Sequence, residues 1–103
     1  MTLNEQDSGH TIKVKRGAMI TLRLVENPTT GFRWTVEDGS GLELVGDQNK
    51  PGGLIGSAGV RVLQFCGKSV GLHELRLKNW REREGASSVI GSFNAWIVVE
   101  EKN

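Results

Sequence analysis

Apolar and polar residues alternate along most of this chain, with the period of two that is typical of a β-strand buried on one face. This pattern predicts strands at residues 11–15, 19–25, 32–37, 42–45, 60–66, 72–78 and 93–99. No window carries the 3.6-residue stripe of an amphipathic helix, and the fourteen glycines disfavour one. About seven to eight short strands separated by turn signals predict an all-β fold, a sandwich of two sheets.

The connection between the second and third predicted strands is a stiff polar loop, Asn27-Pro28-Thr29-Thr30-Gly31. Pro28 fixes its own φ and favours an extended backbone at the residue before it. Gly31 permits a left-handed exit that most residues disfavour. The two threonines at the tip carry hydroxyls on side chains with few rotamers. We expect this preorganised loop to be presented to a partner.

Two further connections are long: residues 46–59, which are rich in glycine, and residues 79–92, which begin beside Trp80. Alternate loops of a two-sheet sandwich lie at the same end of the molecule. The three connections are therefore expected to be neighbours and to form a recognition edge on a rigid scaffold. The pattern alone also allows a simpler interpretation, in which all three are ordinary surface loops and Trp80 folds back over the core.

Length and composition indicate one globular domain. The chain has 103 residues, of which 37% are hydrophobic and 24% charged. We expect a single domain over residues 10–103, preceded by a flexible segment over residues 1–9. Thirteen basic residues against twelve acidic ones give a net charge of +1, which argues against a nucleic-acid partner or a membrane surface.

The compartment is not fixed by the sequence. The only cysteine, Cys66, forms no internal disulfide. The first nine residues lack the basic start and the apolar run of a signal peptide. No stretch approaches the roughly 18 consecutive apolar residues of a membrane-spanning helix. The cytoplasm is the default expectation, and loss of a signal peptide from the chain would instead indicate the periplasm or secretion.

Residues that usually carry catalysis are few and scattered. His10 and His73 are isolated from each other, and Cys66 lies in an apolar strand. Packing is the expected role of Cys66, because a reactive thiol needs an exposed, electropositive setting. Two histidines and one cysteine far apart in sequence also make a poor set of metal ligands. We therefore expect no enzymatic activity, no cofactor and no metal site.

Three motifs taken together resemble the chagasin family of cysteine-peptidase inhibitors. They are Asn27-Pro28-Thr29-Thr30-Gly31-Phe32-x-Trp34, then Gly56-Ser57-Ala58-Gly59, then Lys78-Asn79-Trp80. The family carries Asn-Pro-Thr-Thr-Gly-Tyr/Phe-x-Trp in its first binding loop, a glycine-rich run in its second and Arg-Pro-Trp in its third. The first motif is specific, and the order and spacing match over essentially the whole chain.

The resemblance implies an immunoglobulin-like β-sandwich that inhibits papain-like cysteine peptidases reversibly and tightly. We expect a monomer, because one copy supplies all the loops. Its loops would occlude the active-site cleft, with the threonines near the catalytic cysteine, the glycine-rich run along the substrate side and Trp80 on the leaving-group side. From their position in a loop, we expect Leu54 and Ile55 to fill an apolar subsite. The candidate peptidase-binding residues are Asn27, Pro28, Thr29, Thr30, Gly31, Leu54, Ile55, Gly56, Ser57, Ala58, Gly59, Val60, Lys78, Asn79, Trp80 and Arg81.

Two departures from the family pattern affect the expected potency. Lys78 and Asn79 stand where the family has Arg-Pro, so the third loop lacks the stiffness of proline and the planar fork of arginine. Ser57 and Ala58 add side chains where glycine is common. We expect inhibition with altered potency or target preference. The alternative from another class is an immunoglobulin-like binding or adhesion module for a partner that is not a peptidase.

Overall fold

The part of the chain that the structure describes folds into eight β-strands arranged in two sheets. The structure, a computed structural model, describes residues 1–38, 41–50 and 58–102. The strands are β1 (Thr2–Leu3), β2 (Thr11–Lys15), β3 (Met19–Glu26), β4 (Arg33–Asp38), β5 (Leu42–Lys50), β6 (Gly59–Gly67), β7 (Gly71–Trp80) and β8 (Gly91–Glu100). Short 3-10 turns lie at Glu5–Asp7, Pro28–Thr30 and Glu82–Ser88. The all-β sandwich predicted from the alternation is confirmed.

Each sheet has four strands, in the orders β1-β3-β6-β5 and β2-β8-β7-β4. The pairs β1–β3 and β2–β8 are parallel, and the others are antiparallel. Side chains of period two point inward from both sheets and form one core. Its largest fully buried apolar members are Phe65, Phe93, Ile20, Leu22, Leu24, Leu63, Leu75, Leu77 and Ile97. Trp34 is also in the core, whereas Trp96 lies exposed on a sheet face.

Two short elements lie within residues 1–9, the segment that the sequence predicts to be flexible. Thr2 and Leu3 pair with β3 in parallel, and the Leu3 side chain is only 3% exposed. Asn4 then caps the turn at Glu5–Asp7 through a reciprocal pair of hydrogen bonds. The signal for a strand was too short to detect, because two residues cannot show an alternation.

Strand β5 is longer than predicted and reaches Lys50 instead of Val45. Its register shifts between Leu44 and Gly46, so a β-bulge at Val45 breaks the alternation that the sequence analysis relied on. After the bulge the strand is polar and mostly exposed, since it forms the edge of its sheet. The second connection therefore begins after Lys50 and not at Gly46.

Candidate functional site

The strands that flank the three long connections begin and end at one end of the sandwich, which we call the loop pole. Residues 27–32 join β3 to β4 there, residues 81–90 join β7 to β8, and the connection from β5 to β6 leaves after Lys50 and is described again from Ala58. The strand pairing shows this, because the ends and starts of these strands lie opposite one another: Glu26 with Gly59, Lys50 with Val60, Arg33 with Trp80, and Asn79 with Gly91. The predicted convergence of the three connections is confirmed for these strand ends.

The first loop is held by hydrogen bonds within itself. Oδ1 of Asn27 accepts from the backbone N–H of Thr29 at 3.2 Å and from its hydroxyl at 2.6 Å. The carbonyl of Asn27 accepts from the N–H of Thr30 at 3.2 Å and from its hydroxyl at 2.8 Å. Gly31 then leaves the turn at φ +83°, a conformation that glycine adopts readily and other residues rarely do. The loop is preordered in the absence of a partner.

These bonds determine what the threonines can offer to a partner. A hydroxyl has one proton and two acceptor lone pairs. Thr29 and Thr30 both donate that proton inside the loop, to Asn27. Both side chains are exposed. The Thr30 hydroxyl also accepts from the backbone N–H of Phe32 at 3.4 Å. The lone pairs that remain on the two hydroxyl oxygens can accept hydrogen bonds from a partner.

The second connection is described only at its end. Leu54, Ile55, Gly56 and Ser57 lie outside the described residues, so their predicted roles stay predictions. Ala58 is exposed and immediately precedes β6. Gly59 and Val60 are the first residues of that strand, where Gly59 is buried opposite Glu26 and Val60 is half-buried opposite Val25.

Trp80 is the last residue of β7, which corrects the expectation that it lies in a loop. It alternates with the buried Leu75 and Leu77, so its indole lies on the outer face of the sheet and does not cover the core. The indole Nε1 donates to Oγ1 of Thr35 on the neighbouring β4 at 3.1 Å. The ammonium of Lys78 lies 3.5 Å from the ring centroid of Trp80. The indole is half-buried and fixed in place.

Asn79 and Lys78 are also strand residues with different surroundings. Asn79 shares the inward phase of Leu77, and its Oδ1 is buried with no hydrogen-bond partner among the described residues. Lys78 faces outward and pairs with Glu37 at 3.4 Å as well as stacking on Trp80. The ammonium of Lys78 therefore holds the indole through a cation–π contact, whereas the side chain of Asn79 faces the interior of the sandwich.

Arg81 joins the third connection to the first loop. Its Nε donates to the carbonyl of Thr30 at 3.1 Å, and its guanidinium lies 4.3 Å from the ring centroid of Phe32. Its Nη1 also pairs with Glu84 at 3.1 Å. Arg81 is among the site residues predicted from the sequence, but its contact with the neighbouring loop was not predicted.

The side chain of Ser88 holds the two ends of the third connection together. Its Oγ accepts from the backbone N–H of Arg81 at 3.0 Å and lies 2.9 Å from the carbonyl of the same residue. The segment Glu82–Ser88 consists of 3-10 turns interrupted at Gly85, where φ is +74°. These contacts give the connection an internal brace, although Asn79 replaces the proline of the family motif.

An open cavity of about 630 Å³ lies between the first loop and the third connection. Among the residues that line it are Gly31, Arg33, Trp80, Arg81, Arg83 and Glu84. The cavity combines a flat aromatic surface with guanidinium groups, which suits contact with a protein surface.

Sequence reasoning missed a buried carboxylate at the base of the loop pole. Glu26 is the last residue of β3 and is 2% exposed. It accepts hydrogen bonds from the backbone N–H of Trp34 at 2.7 Å, from Nδ2 of Asn49 at 2.8 Å and from Nη1 of Arg61 at 2.9 Å. The signal was present in the sequence, because Glu26 continues the inward phase of Ile20, Leu22 and Leu24.

Arg61 extends this cluster to the edge strand. Its guanidinium also binds both carboxylate oxygens of Asp47 on β5. The hydrogen bond that Arg61 donates to Asp47 and the negative charges of Glu26 and Asp47 raise the pKa of Arg61 above its ordinary value, although partial burial acts in the opposite direction. Arg61 therefore stays charged and links two carboxylates across the sheet.

Within residues 1–38, 41–50 and 58–102, no group of three or more histidine, cysteine, aspartate or glutamate side chains could hold a metal ion. No helix in that part of the chain is both long and apolar enough to cross a membrane. Cys66 is half-buried, more exposed than the packing role predicted for it.

Comparison with known proteins identifies the family. The model of the chagasin family of peptidase inhibitors, described as "Chagasin family peptidase inhibitor I42", matches residues 13–97. The chain belongs to the chagasin family. It is thus a peptidase inhibitor by family and not an enzyme, and the resemblance inferred from the three motifs is confirmed.

Relatives agree with this assignment. Amoebiasin-1 of Entamoeba histolytica is 35% identical over 75 residues, which cover 69% of this chain and 72% of that protein. The crystal structure of the cysteine protease inhibitor EhICP2, also from Entamoeba histolytica, superposes with a TM-score of 0.85 at 23% identity, covering 96% of this chain and 93% of the other. The structure of PbICP-C in complex with falcipain-2 superposes with a TM-score of 0.71 at 12% identity, covering 96% and 98% of the two chains.

These likenesses confirm the immunoglobulin-like form of the sandwich. They also favour the inhibitor over the adhesion module that the sequence pattern left open.

Proposed function

We propose that this protein inhibits papain-like cysteine peptidases reversibly by inserting its loop pole into the active-site cleft. The observation that supports the proposal is that the first and third family motifs and the start of β6, which follows the second motif, lie at one end of a rigid sandwich. PbICP-C, whose fold is similar, is itself found in complex with falcipain-2. One copy of the chain supplies all three segments, so we infer that a monomer suffices.

In this proposal the first loop occupies the centre of the cleft. A papain-like enzyme pairs a thiolate with an imidazolium, and it needs a carbonyl carbon placed beside the thiolate in attack geometry. The hydroxyl oxygens of Thr29 and Thr30 can accept hydrogen bonds from donors at that site. With the hydroxyls at the thiolate, no peptide carbonyl of the loop is held in attack geometry, and the loop fills the site without being cleaved.

The segments on both sides of the first loop enlarge the contact area with the peptidase. Trp80 offers a large, rigid apolar surface on one side of the first loop. Ala58 and the residues before it would lie on the other side, along the substrate-binding surface. We expect a total buried area of about 1,600 Å², as in inhibitor complexes of standard size. Because the first loop and Trp80 are already held by hydrogen bonds, docking costs less entropy than it would for free loops.

A direct assay tests the proposal. Papain is mixed with increasing amounts of the protein and its residual activity is read with a fluorogenic peptide. We expect activity to fall to zero near one equivalent, to return on dilution, and the inhibitor to stay intact by mass spectrometry. Full papain activity at a large excess of the protein would refute the proposal.

A matched pair of variants localises the inhibition to the loop pole. Thr29→Asp places a negative charge at the exposed tip, beside the proposed thiolate, and should abolish inhibition. Thr11→Asp makes the same change at an exposed position of β2, opposite Trp96 and away from the pole. It should inhibit like the unmodified protein. Equal loss in both variants would argue against the loop pole as the binding surface.

A further inference from the structure

The buried carboxylate of Glu26 touches the base of two connections at once. Glu26 is the last residue before the first loop, and it accepts a hydrogen bond from the N–H of Trp34, the second residue of β4 after that loop. The indole Nε1 of Trp34 adds a second bond across the same base, to the carbonyl of Val25 at 2.9 Å. The first loop is thus closed at its base by side chains as well as by the strands.

The same carboxylate also reaches both strands that flank the second connection. Asn49 lies one residue before the end of β5, and Arg61 lies two residues after the start of β6. Both donate to Glu26. From its place on β3, the Glu26 side chain therefore contacts β4, which follows the first loop, and both strands that flank the second connection. These contacts link the two sheets.

Stability alone does not account for a carboxylate at this position. The other inward positions of β3 are the apolar residues Ile20, Leu22 and Leu24, all fully buried. Burying an ion pair costs desolvation, and an apolar replacement of similar volume is often equally stable. What an apolar side chain cannot do is bind a backbone N–H, an amide and a guanidinium in fixed directions.

We propose that Glu26 is a positioning residue, which fixes the base of the first loop relative to the ends of β5 and β6 and so holds the first loop in the orientation that enters a peptidase cleft. This inference rests on the proposed function for its effect on inhibition. Glu26 acts through Arg61, Asn49 and Trp34 and touches no peptidase itself, because its side chain is almost fully buried.

The central test is Glu26→Gln, which keeps the shape and an acceptor oxygen but removes the charge opposite Arg61. Its amide also places a new donor among the donors of Asn49 and Arg61. We expect the inhibition constant for papain to rise about tenfold or more, mainly through faster dissociation. The assay is run at a temperature where circular dichroism shows the variant to be folded.

Two core variants of β3 separate positioning from general stability. Ile20→Val and Ile20→Ala remove buried methyl groups at the opposite end of the same strand, where Ile20 pairs with Phe65. Measuring the thermal midpoint and the inhibition constant of both variants shows how a loss of stability alone affects inhibition. We expect their inhibition constants to equal that of the unmodified protein. The inference fails if Glu26→Gln inhibits as well as an Ile20 variant with the same thermal midpoint, or if it keeps the original inhibition constant.

A double-mutant cycle tests whether Glu26 works through Arg61. If it does, Glu26→Gln combined with Arg61→Gln should weaken inhibition about as much as either single change. If the rise in the inhibition constant of the double variant equals the product of the two single rises, Glu26 does not act through Arg61. Should Glu26→Gln not fold, Asn49→Ala removes one partner of the carboxylate at an exposed position, and we expect a rise of about threefold in the inhibition constant. No rise would overturn the inference.

Hydrogen exchange of the free protein tests the positioning without any peptidase. In Glu26→Gln we expect the amides of Thr30, Trp34 and Gly59 to exchange at least about tenfold faster, while those of Leu75 and Ile97 follow global stability only. If papain is unaffected by the unmodified protein, the proposed function fails, and this measurement still decides whether Glu26 orders the pole. Uniform acceleration over all amides would refute the positioning role.

Discussion

Trp80 shows how a single side chain can be prepared for binding. Its indole is fixed from three sides, by the strand that carries it, by Thr35 on β4 and by the stacked ammonium of Lys78. An aromatic side chain with few rotatable bonds already loses little entropy on docking, and these contacts reduce that loss further. Lys78 thus has a supporting role, although it stands where the family motif has arginine.

We expect Trp80→Ala to raise the inhibition constant for papain about tenfold or more, because truncation of an aromatic anchor costs more than 1 kcal/mol. Trp96→Ala is the matched control, since Trp96 is an exposed tryptophan on the same sheet, opposite Glu74 and away from the pole. It should leave inhibition unchanged. The constants are measured by titration with a fluorogenic substrate. An unchanged constant for Trp80→Ala would show that this contact is dispensable.

At the scale of elements, the first loop and the third connection form one unit because Arg81 bridges them. Arg81→Lys keeps the charge but loses the planar group that bonds the Thr30 carbonyl and stacks on Phe32. We expect dissociation from papain to become about three- to tenfold faster, as observed by surface plasmon resonance. Arg76→Lys, on the outer face of β7 and away from the pole, should dissociate like the unmodified protein. Identical rates for both variants would show that the bridge has no effect on binding.

The regular strands could be predicted from the sequence, and the interruptions could not. Strands β3, β6, β7 and β8 were found within a few residues of their limits. The pairs β3–β6 and β7–β8 run without a register shift. Strand β5 was cut short, because the bulge at Val45 shifts the phase of everything after it. Strand β1 was missed, because the burial of Leu3 depends on a partner nineteen residues away in sequence, Leu22.

The site divides in the same way. The tips of the loops follow from a motif with characteristic chemistry, such as Asn-Pro-Thr-Thr-Gly. The supports do not, because Glu26, Arg61 and Asn49 come together only through strand pairing at long range. A charged residue in the inward phase of a strand is the one local signal of such a support. Trp80 was placed correctly at the pole but in the wrong element, since its charged neighbours suggested a loop.

At the scale of the whole molecule, the N-terminal segment closes one edge of the sandwich. We expect Leu3→Ala to lower the free energy of unfolding by about 2 kcal/mol or more, because a buried leucine is truncated. For a domain of this size the thermal midpoint should fall by roughly 10 °C. Leu72→Ala makes the same change at a position that is 61% exposed and should stay within about 0.5 kcal/mol. Urea unfolding of both variants measures the difference, and equal stabilities would mean that β1 contributes nothing.

The balance of charge over the molecule determines how it should meet its target. The net charge is +1, and at the pole the cations of Arg61 and Arg81 are paired with Glu26, Asp47 and Glu84. Electrostatic steering needs a large field of one sign, and its effect on the association rate falls steeply with salt. Tight inhibition should therefore depend on slow dissociation instead of accelerated encounter.

We accordingly expect the association rate constant with papain to change less than about threefold between about 0.03 M and about 0.5 M salt, as followed by stopped-flow fluorescence. Glu82→Lys provides the contrast, because it adds two units of positive charge at an exposed position beside the cavity. Its association rate should depend on salt more strongly than that of the unmodified protein. A tenfold fall in the rate of the unmodified protein over the same range would show that local charge at the pole, and not the whole-molecule balance, governs its encounter with the enzyme.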